Sequence, residues 1–275
     1  MLFFGPAGLP SRCASAPEAV EYLARIGLNA LEIEFVHGVR MGLEEASRVR
    51  AIAESKGVSL SAHAPYYINL AAAKEDVRKR SRARILSTMR VAHALGARVI
   101  VVHAGYYSGR GGAGATRIIA EELAVCREAA DAEGWGDVLI GLETMGRRGS
   151  WGALEEMRAV ASRVRGVLPV VDFAHIHARC GGCLRSEEAF RRVLEDFEGF
   201  NPPFLHSHFT GVEWGPSGER RHLEVREGEP DFGLLAPVLR SRQYDVTVIS
   251  ESPLLELDAL LMRDMTLEKS RPDST

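Results

Sequence analysis

Short apolar runs alternate with longer amphipathic segments along the whole chain. In the longer segments apolar residues recur every three or four positions, the period of a helix packed on one face, and several of these segments end in glycine. The short runs have the length and residue content of strands: LFFG from residue 2, NALEIEF from 29, VSLSAH from 58, RVIVVHA from 98, VLIGLE from 138, VLPVVD from 167, PFLHSH from 203 and VTVISE from 246. Eight strand–helix units predict an α/β protein whose parallel strands close into a (β/α)8 TIM barrel.

An open, doubly wound sheet is the competing architecture. Its usual mark is a glycine-rich turn after the first strand, but the corresponding GPAGLPS contains two prolines. The stretch GRGGAGAT at 109–116 lacks the Lys-Ser/Thr of a phosphate-binding P-loop, so we interpret it as a flexible loop. The length of 275 residues fits one barrel of roughly 250. We therefore predict one barrel domain over 1–268 and a disordered polar tail over 269–275.

The composition argues against several classes of protein. The formal charge is −3, and no stretch approaches the roughly 20 apolar residues of a membrane helix. The first residues lack the basic and apolar regions of a signal peptide. Four cysteines, Cys13, Cys126, Cys180 and Cys183, are too few and too scattered for a disulfide scaffold. We expect a monomer in a reducing cytoplasm, with no membrane partner.

The pair Cys180-Gly-Gly-Cys183 is open to more than one interpretation. A CxxC motif is used as a redox pair or as half of a zinc site, which His177 could join. No second CxxC exists to complete an all-cysteine site. We favour two loop cysteines or an adventitious disulfide.

Six of the eight predicted strands end on a residue that commonly binds a metal. These residues are His63, His103, Glu143, Asp172, His208 and Glu251. The carboxyl ends of barrel strands converge on one face, so these side chains are expected to meet in one pocket. The residues two positions earlier point the same way and are mostly small or apolar, as a barrel interior requires. His206 is the ionisable one among them, and we expect it to be buried and hydrogen-bonded.

The mixture of imidazole and carboxylate donors suits Zn²⁺, Mn²⁺ or Fe²⁺ better than Ca²⁺ or Mg²⁺. A single zinc site takes three or four protein ligands, so six donors predict more than one metal. His175, three residues after Asp172, and His222, in the loop after the seventh strand, are expected to overhang the same rim.

Six segments resemble the endonuclease IV family, or apurinic/apyrimidinic endonuclease family 2, within the xylose-isomerase-like barrel superfamily. The segments are HAPYYINLA (63–71), VVHAG (101–105), IGLETMG (140–146), VVDFAH (170–175), HFTGVEWG…ERRH (208–222) and ISESP (249–253). The resemblance implies a barrel with a three-zinc cluster, a phosphodiester hydrolase that cleaves DNA 5′ to abasic sites in base-excision repair. DNA containing abasic sites is then the implied partner.

The resemblance also implies roles for individual residues. The ligands implied for the first zinc are His63, His103 and Glu143, those for the second are the bridging Glu143 with Asp172, His208 and Glu251, and those for the third are His175 and His222. Tyr66 and Asn69 fall on motif positions where DNA contacts are expected. Glu143 and Glu251 are the residues expected to carry the catalysis.

One position departs from the family pattern. The family uses an aspartate two residues before the last histidine as a third-zinc ligand, and this chain has Arg220 there. A guanidinium repels a cation, so we expect two metals and assign Arg220 to phosphate binding. The alternative is that Glu213 or Glu219 reaches in to the third metal, although neither matches the family motif. Arginines that follow strands four to seven predict a basic rim for DNA, although arginine is frequent throughout this chain. They are Arg110, Arg117, Arg147, Arg148, Arg179, Arg185, Arg220 and Arg221.

A sugar isomerase or epimerase of the same superfamily is the alternative enzyme. Such enzymes hold a single metal with a Glu–Asp–His–Glu set, which Glu143, Asp172, His208 and Glu251 match, and their substrate is a small sugar. The further histidines favour the nuclease, because one metal does not need them. A non-catalytic metal- or nucleic-acid-binding protein is disfavoured, since inward carboxylates and histidines are costly without a metal.

Overall fold

The computed structural model describes residues 1–267 and is built around a sheet of eight parallel strands. These strands are β1 (Leu2–Pro6), β2 (Ala30–Glu34), β3 (Ser59–His63), β4 (Val99–Val102), β5 (Leu139–Glu143), β6 (Val167–Asp172), β7 (Leu205–Phe209) and, after a hairpin of β8 (Gly211–Gly215) and β9 (Gly218–Leu223), β10 (Val246–Ser250). They pair in the order β1-β10-β7-β6-β5-β4-β3-β2. A parallel bridge between Ala7 and Glu32 joins the two ends of the sheet. The predicted (β/α)8 TIM barrel is confirmed.

Helices surround the barrel. They are α1 (Ala16–Arg25), α2 (Leu43–Lys56), α3 (Glu75–Leu95), α4 (Gly111–Ala132), α5 (Leu154–Ala161), α6 (Phe173–Cys180), α7 (Glu187–Glu198), α8 (Phe232–Arg240) and α9 (Glu256–Leu267). The helices α2 and α3 end at Gly57 and Gly96, which take the left-handed conformation that terminates a helix without strain. Within residues 1–267, no helix combines the length and the apolar character needed to cross a membrane.

The glycine-rich stretch at 109–116 is not a flexible loop, so that interpretation was wrong. Helix α4 begins at Gly111, and Ala115 and Thr116 are buried within its first two turns. The Thr116 hydroxyl accepts a hydrogen bond from Trp151 Nε1 at 2.8 Å. Tertiary packing therefore overrides the poor helix propensity of glycine. The tail predicted over 269–275 lies outside the described residues.

Two glycines allow the strands of the barrel to approach each other and its interior side chains to pack. A Cβ on Gly5 would lie 1.8 Å from the carbonyl oxygen of Ala30, so only glycine lets β1 approach β2 this closely. A Cβ on Gly141 would lie 2.4 Å from Val170 Cγ2. That space is taken by an apolar cluster inside the barrel: Val99, Val101, Leu168, Val170 and Phe204.

Candidate metal centre

Glu143, at the end of β5, lies at the centre of the converging strand ends and is fully buried. Its Oε2 is 2.6 Å from His103 Nε2 and 3.2 Å from His63 Nε2. Its Oε1 is 3.0 Å from His175 Nδ1 and 3.5 Å from His208 Nδ1. One carboxylate therefore stands between two groups of nitrogen donors.

The second group is completed by two more carboxylates. His208 Nδ1 lies 3.2 Å from Glu251 Oε1. Asp172 Oδ1 accepts a hydrogen bond from the backbone N–H of His175 at 2.6 Å, and its Oδ2 lies 3.5 Å from His175 Nδ1. Potential donor atoms of Glu143, Asp172, His175 and Glu251 all lie within 4.8 Å of one another. This spacing suits one shared cation.

A third group lies at the mouth of the barrel. His175 Nε2 is 3.3 Å from Glu219 Oε2, and His222 Nε2 is 3.6 Å from Glu219 Oε1. His222 Nδ1 also lies 3.9 Å from Glu251 Oε2. Glu219 and His222 come from β9 of the hairpin, not from a barrel strand. The hairpin thus adds a carboxylate and an imidazole to the centre.

Arg220 does not reach the centre, although the sequence placed it there. Its side chain is 59 % exposed, and its Nη1 lies 3.4 Å from Glu213 Oε1. The physical reason is a β-bulge in the hairpin. His222 pairs with Val212, but after the register shift Trp214 pairs with Glu219, which leaves Arg220 as the extra residue. A bulge re-aims the side chains beside it, so Glu219 faces the same side as His222.

The outer hydrogen bonds of three histidines suit them to metal binding. His63 Nδ1 donates to the carbonyl of Ala64 at 2.8 Å, and His175 Nδ1 donates to the carbonyl of Thr144 at 2.8 Å. His222 Nδ1 lies 3.1 Å from the carbonyl of Glu251. A proton held on Nδ1 leaves the lone pair of Nε2 directed into the centre, the usual arrangement of a ligating histidine.

Burial and mutual charge set the protonation of the centre. Burial opposes the ionisation of Glu143, but the charges of His103 and His208 hold its pKa well below its usual range. Burial raises the pKa of Asp172 to about 6. Burial also opposes the charging of His63, yet Glu34 and Glu143 raise its pKa to about 10. The side chains therefore hold protons that a bound cation would displace.

Several buried atoms of the centre form no hydrogen bond within residues 1–267. They are Glu143 Oε1, Asp172 Oδ2, His208 Nδ1 and Glu34 Oε1. Buried polar atoms are nearly always paired, so such a concentration calls for an additional partner. A divalent cation satisfies carboxylate oxygens and imidazole nitrogens together. The donor set therefore fits a metal.

The sequence interpretation missed two acidic residues of β2. Glu32 and Glu34 both point into the barrel, where Glu32 is fully buried and burial raises the pKa of Glu34 to about 7. Two carboxylates spaced by two in an apolar strand are the sequence signal that identifies them. The signal is weak because Phe35, and not a carboxylate, ends the apolar run NALEIEF.

The predicted substrate contacts lie at the rim. Tyr66 is half-exposed, and its ring centroid lies 5.3 Å from that of His63 and 5.4 Å from that of His103. Asn69 is partly buried, and its Nδ2 donates to Ser108 Oγ at 3.3 Å. Tyr66 is therefore open to a ligand, whereas Asn69 is held by the neighbouring loop.

Most arginines of the predicted basic rim are bound to the protein itself. Arg179 donates to the carbonyls of Arg147 and Ser150 and to Tyr107 Oη. Others bind as follows: Arg110 to Ala71, Arg117 to Glu121, Arg148 to Arg179, Arg185 to Glu229 and Arg221 to Glu213. The side chain of Arg147 is exposed and forms no ion pair within residues 1–267.

The loop cysteines form a disulfide between Cys180 and Cys183. His177 does not join them, because its Nε2 lies 3.1 Å from Glu229 Oε2. His206 is buried, with its Nε2 2.8 Å from Glu32 Oε2, which confirms the expected hydrogen-bonded histidine.

We expect Glu219→Gln to weaken cation binding at the mouth of the barrel by at least about tenfold, because it removes the carboxylate that lies beside the Nε2 atoms of both His175 and His222, at 3.3 and 3.6 Å. Titration of the metal-free protein with Zn²⁺ in competition with a chelator measures the change. Glu213→Gln is the matched control from the same hairpin, since Glu213 binds only arginines there. Equal effects of the two substitutions would contradict the assignment.

Comparison with known proteins places the chain in a family. Residues 20–265 match the sequence profile of the xylose isomerase-like TIM barrel. An uncharacterised protein of Methanocaldococcus jannaschii is 34 % identical over 266 residues, covering 95 % of this chain and 96 % of that protein.

Solved structures of the same fold include nucleases and sugar epimerases. Endonuclease IV from Thermus thermophilus is 21 % identical, with a TM-score of 0.73 over 96 % of this chain and 97 % of that one. The 3-keto-D-glucoside 4-epimerase of E. coli is 19 % identical, with a TM-score of 0.71 over 96 % of this chain and 97 % of that one. At these identities the likeness concerns the fold. The chain belongs to the xylose isomerase-like TIM-barrel family, whose structural relatives include endonuclease IV.

Proposed function

We propose that this protein is a metal-dependent phosphodiester hydrolase that cleaves DNA 5′ to abasic sites, with zinc as its metal. The observation that carries the proposal is that the two oxygens of Glu143 contact two different donor groups. Oε2 lies beside His63 and His103, and Oε1 lies beside His175 and His208. One cation uses about four protein ligands, and this centre offers more. The number of donors supports at least two cations, and Glu219 supplies the carboxylate that a third would need.

The centre prepares the chemistry through its own side chains. A bound divalent cation polarises phosphoryl oxygens as a Lewis acid. Glu143 holds the two donor groups at a fixed separation. The backbone carbonyls of Ala64 and Thr144 fix the rings of His63 and His175. Glu251 adds negative charge beside His208. These contacts are made before substrate arrives, so little reorganisation remains for the reaction.

The rim offers two groups to a nucleic acid. Tyr66 presents an exposed ring beside His63, where it can pack against a sugar or a base. Arg147 is the rim arginine we assign to phosphate, because its side chain is exposed and forms no ion pair within 4 Å among residues 1–267, while its charge acts on Glu219 at longer range. Arg220 is paired with Glu213, and its assignment to phosphate has less support.

A sugar epimerase with one metal is the second candidate. Glu143, Asp172, His208 and Glu251 do converge, which is the set such an enzyme needs. That set leaves His63, His103 and Glu219 without a role. The nuclease uses all of them.

We also propose that the protein acts in the cytoplasm as a monomer. Cys13 and Cys126 are free thiols, as a reducing compartment favours. The bridge between Cys180 and Cys183 spans three residues and is local.

Cleavage of a duplex that carries one tetrahydrofuran abasic analogue tests the function. With Zn²⁺ or Mn²⁺, we expect a single cut 5′ to the lesion, and no cut in the undamaged duplex. His63→Asn should slow cleavage by at least about 10²-fold, because His63 belongs to the part of the centre that a one-metal epimerase does not need. No cleavage, together with metal-dependent epimerisation of a ketose detected by NMR, would overturn the nuclease in favour of the second candidate.

A further inference from the structure

A carboxylate without a role in the proposed reaction lies inside the barrel, one layer below the candidate metal centre. Glu32 on β2 is fully buried. Its Oε2 accepts a hydrogen bond from Ser61 Oγ at 2.7 Å and lies 2.8 Å from His206 Nε2. Its Oε1 lies 3.0 Å from His208 Nε2. Side chains from β3 and β7 therefore meet at one carboxylate of β2.

Glu32 is not needed merely to fill the barrel interior, because apolar side chains fill other parts of it. The facing part of the same interior is apolar and includes Val101 and Val170. A buried carboxylate is costly unless it is paired and hydrogen-bonded. Both of its oxygens have polar neighbours: Ser61 Oγ and His206 Nε2 lie at hydrogen-bond distance of Oε2, and His208 Nε2 lies 3.0 Å from Oε1. The barrel thus keeps a paired carboxylate in an interior whose facing part is apolar.

His208 connects this anion to the metal centre. Its Nδ1 faces Glu143 and Glu251, at 3.5 and 3.2 Å. Its Nε2 lies 3.0 Å from Glu32 Oε1, and neither of these two buried atoms has a regular hydrogen-bond partner within residues 1–267. This ion-pair contact is therefore the polar contact that both atoms share.

The orientation of His208 is the reverse of its neighbours. His63 and His222 place Nδ1 against backbone carbonyls and turn Nε2 toward carboxylates of the centre. His175 Nδ1 also contacts a backbone carbonyl, that of Thr144, although it lies 3.0 Å from Glu143 Oε1 as well. A backbone carbonyl is present whichever residue occupies the position, whereas a carboxylate is there only when the residue is Asp or Glu. His208 turns Nδ1 toward the centre, and its outer partner is the side chain of Glu32.

We propose that Glu32 is a positioning residue of the metal centre, which holds the proton of His208 on Nε2 and leaves Nδ1 free to bind a divalent cation. The inference rests on the metal binding of the proposed function and not on its substrate. A carboxylate beneath a ligating histidine fixes the ring and its tautomer and raises its basicity. Its loss typically weakens metal binding 10–100-fold.

The test compares Co²⁺ binding and its visible absorption spectrum in the wild type and in Glu32→Gln. We expect the substitution to weaken Co²⁺ binding about 10–100-fold and to change the spectrum, which reports the ligands and geometry of the ion. In a His208→Asn background, the same substitution should have no further effect on binding, because its route to the ion is removed. Ser61→Ala removes a contact to Oε2 only, so it should lower the melting temperature and leave the spectrum unchanged.

The outcomes separate this inference from the proposed function. A Glu32→Gln protein that melts at a lower temperature but binds Co²⁺ with unchanged affinity and spectrum would show a structural role alone and overturn the proposal. Loss of one equivalent of bound Co²⁺ at saturation would also overturn it, since Glu32 would then be a ligand. A wild-type protein that binds Co²⁺ without cutting abasic DNA refutes the nuclease and still allows every comparison above.

Discussion

Glu143→Gln is expected to lower the rate of the proposed abasic-site cleavage by about 10³-fold. Among residues 1–267, Glu143 alone contacts both donor groups, with His63 and His103 on one oxygen and His175 and His208 on the other. An amide offers one acceptor and carries no charge, so the two groups lose their common partner. Metal ions contribute several kcal/mol to charge stabilisation, and each ~1.4 kcal/mol is a factor of ten. Single-turnover cleavage and metal analysis on the same preparation measure the change.

Glu122→Gln is the matched control for Glu143→Gln. Glu122 is also a buried glutamate, but it binds Arg78 and Arg82 among the helices, away from the barrel mouth. We expect this substitution to lower the melting temperature and to leave metal content and cleavage at 25 °C unchanged. A cleavage rate that falls equally in both variants would mean that the effect is one of folding.

The second large effect is expected on stability, when metal is removed. In the metal-free protein, Glu34 and Glu143 raise the pKa of His63 to about 10 despite its burial, above the value of about 6.5 for an unfolded chain. The folded state then binds more protons than the unfolded state, so stability is fully present below pH 6.5 and is lost as pH rises toward 10. The raised pKa values of His175 and His208 act in the same direction. We expect the melting temperature of the metal-free protein to fall between pH 7 and pH 10.

Zinc should reverse this dependence, because the cation replaces the protons of the centre and binds better as pH rises. At a free concentration of about 1,000 times Kd, binding adds about 4 kcal/mol, or on the order of 10 °C in melting temperature. Calorimetry with and without Zn²⁺ at pH 7, 8.5 and 10 checks both directions. His93→Gln serves as the control, since His93 pairs with Asp137 on the surface. A metal-free melting temperature that stays constant over this range would contradict the charge balance described for the centre.

The barrel could be predicted from the sequence because each strand is a short apolar run followed by an amphipathic segment. The gathering of His63, His103 and Glu143 followed from the same rule, since the carboxyl ends of parallel barrel strands meet at one face. Direction along a strand was enough to place these side chains. No knowledge of their partners was needed.

The position of Glu219 beside His222, where a regular strand would place Arg220, could not be predicted in the same way. A regular strand puts residues 220 and 222 on one side, and only the bulge opposite Glu213 and Trp214 reverses that choice. Helix α4 shows the same limit, because a glycine-rich start becomes helical only through packing around Thr116 and Trp151. Both cases depend on contacts between segments distant in sequence, which local patterns do not contain.

The hairpin of β8 and β9 gives this architecture a separable part. Glu219 and His222 reach the mouth from an insertion between β7 and α8, while the donors deeper in the pocket come from the barrel itself. Exchange of that single insertion would add or remove a cation pocket without altering the hydrogen bonding of any barrel strand. A fold of this kind can move between chemistries that need different numbers of metal ions by rebuilding one surface loop.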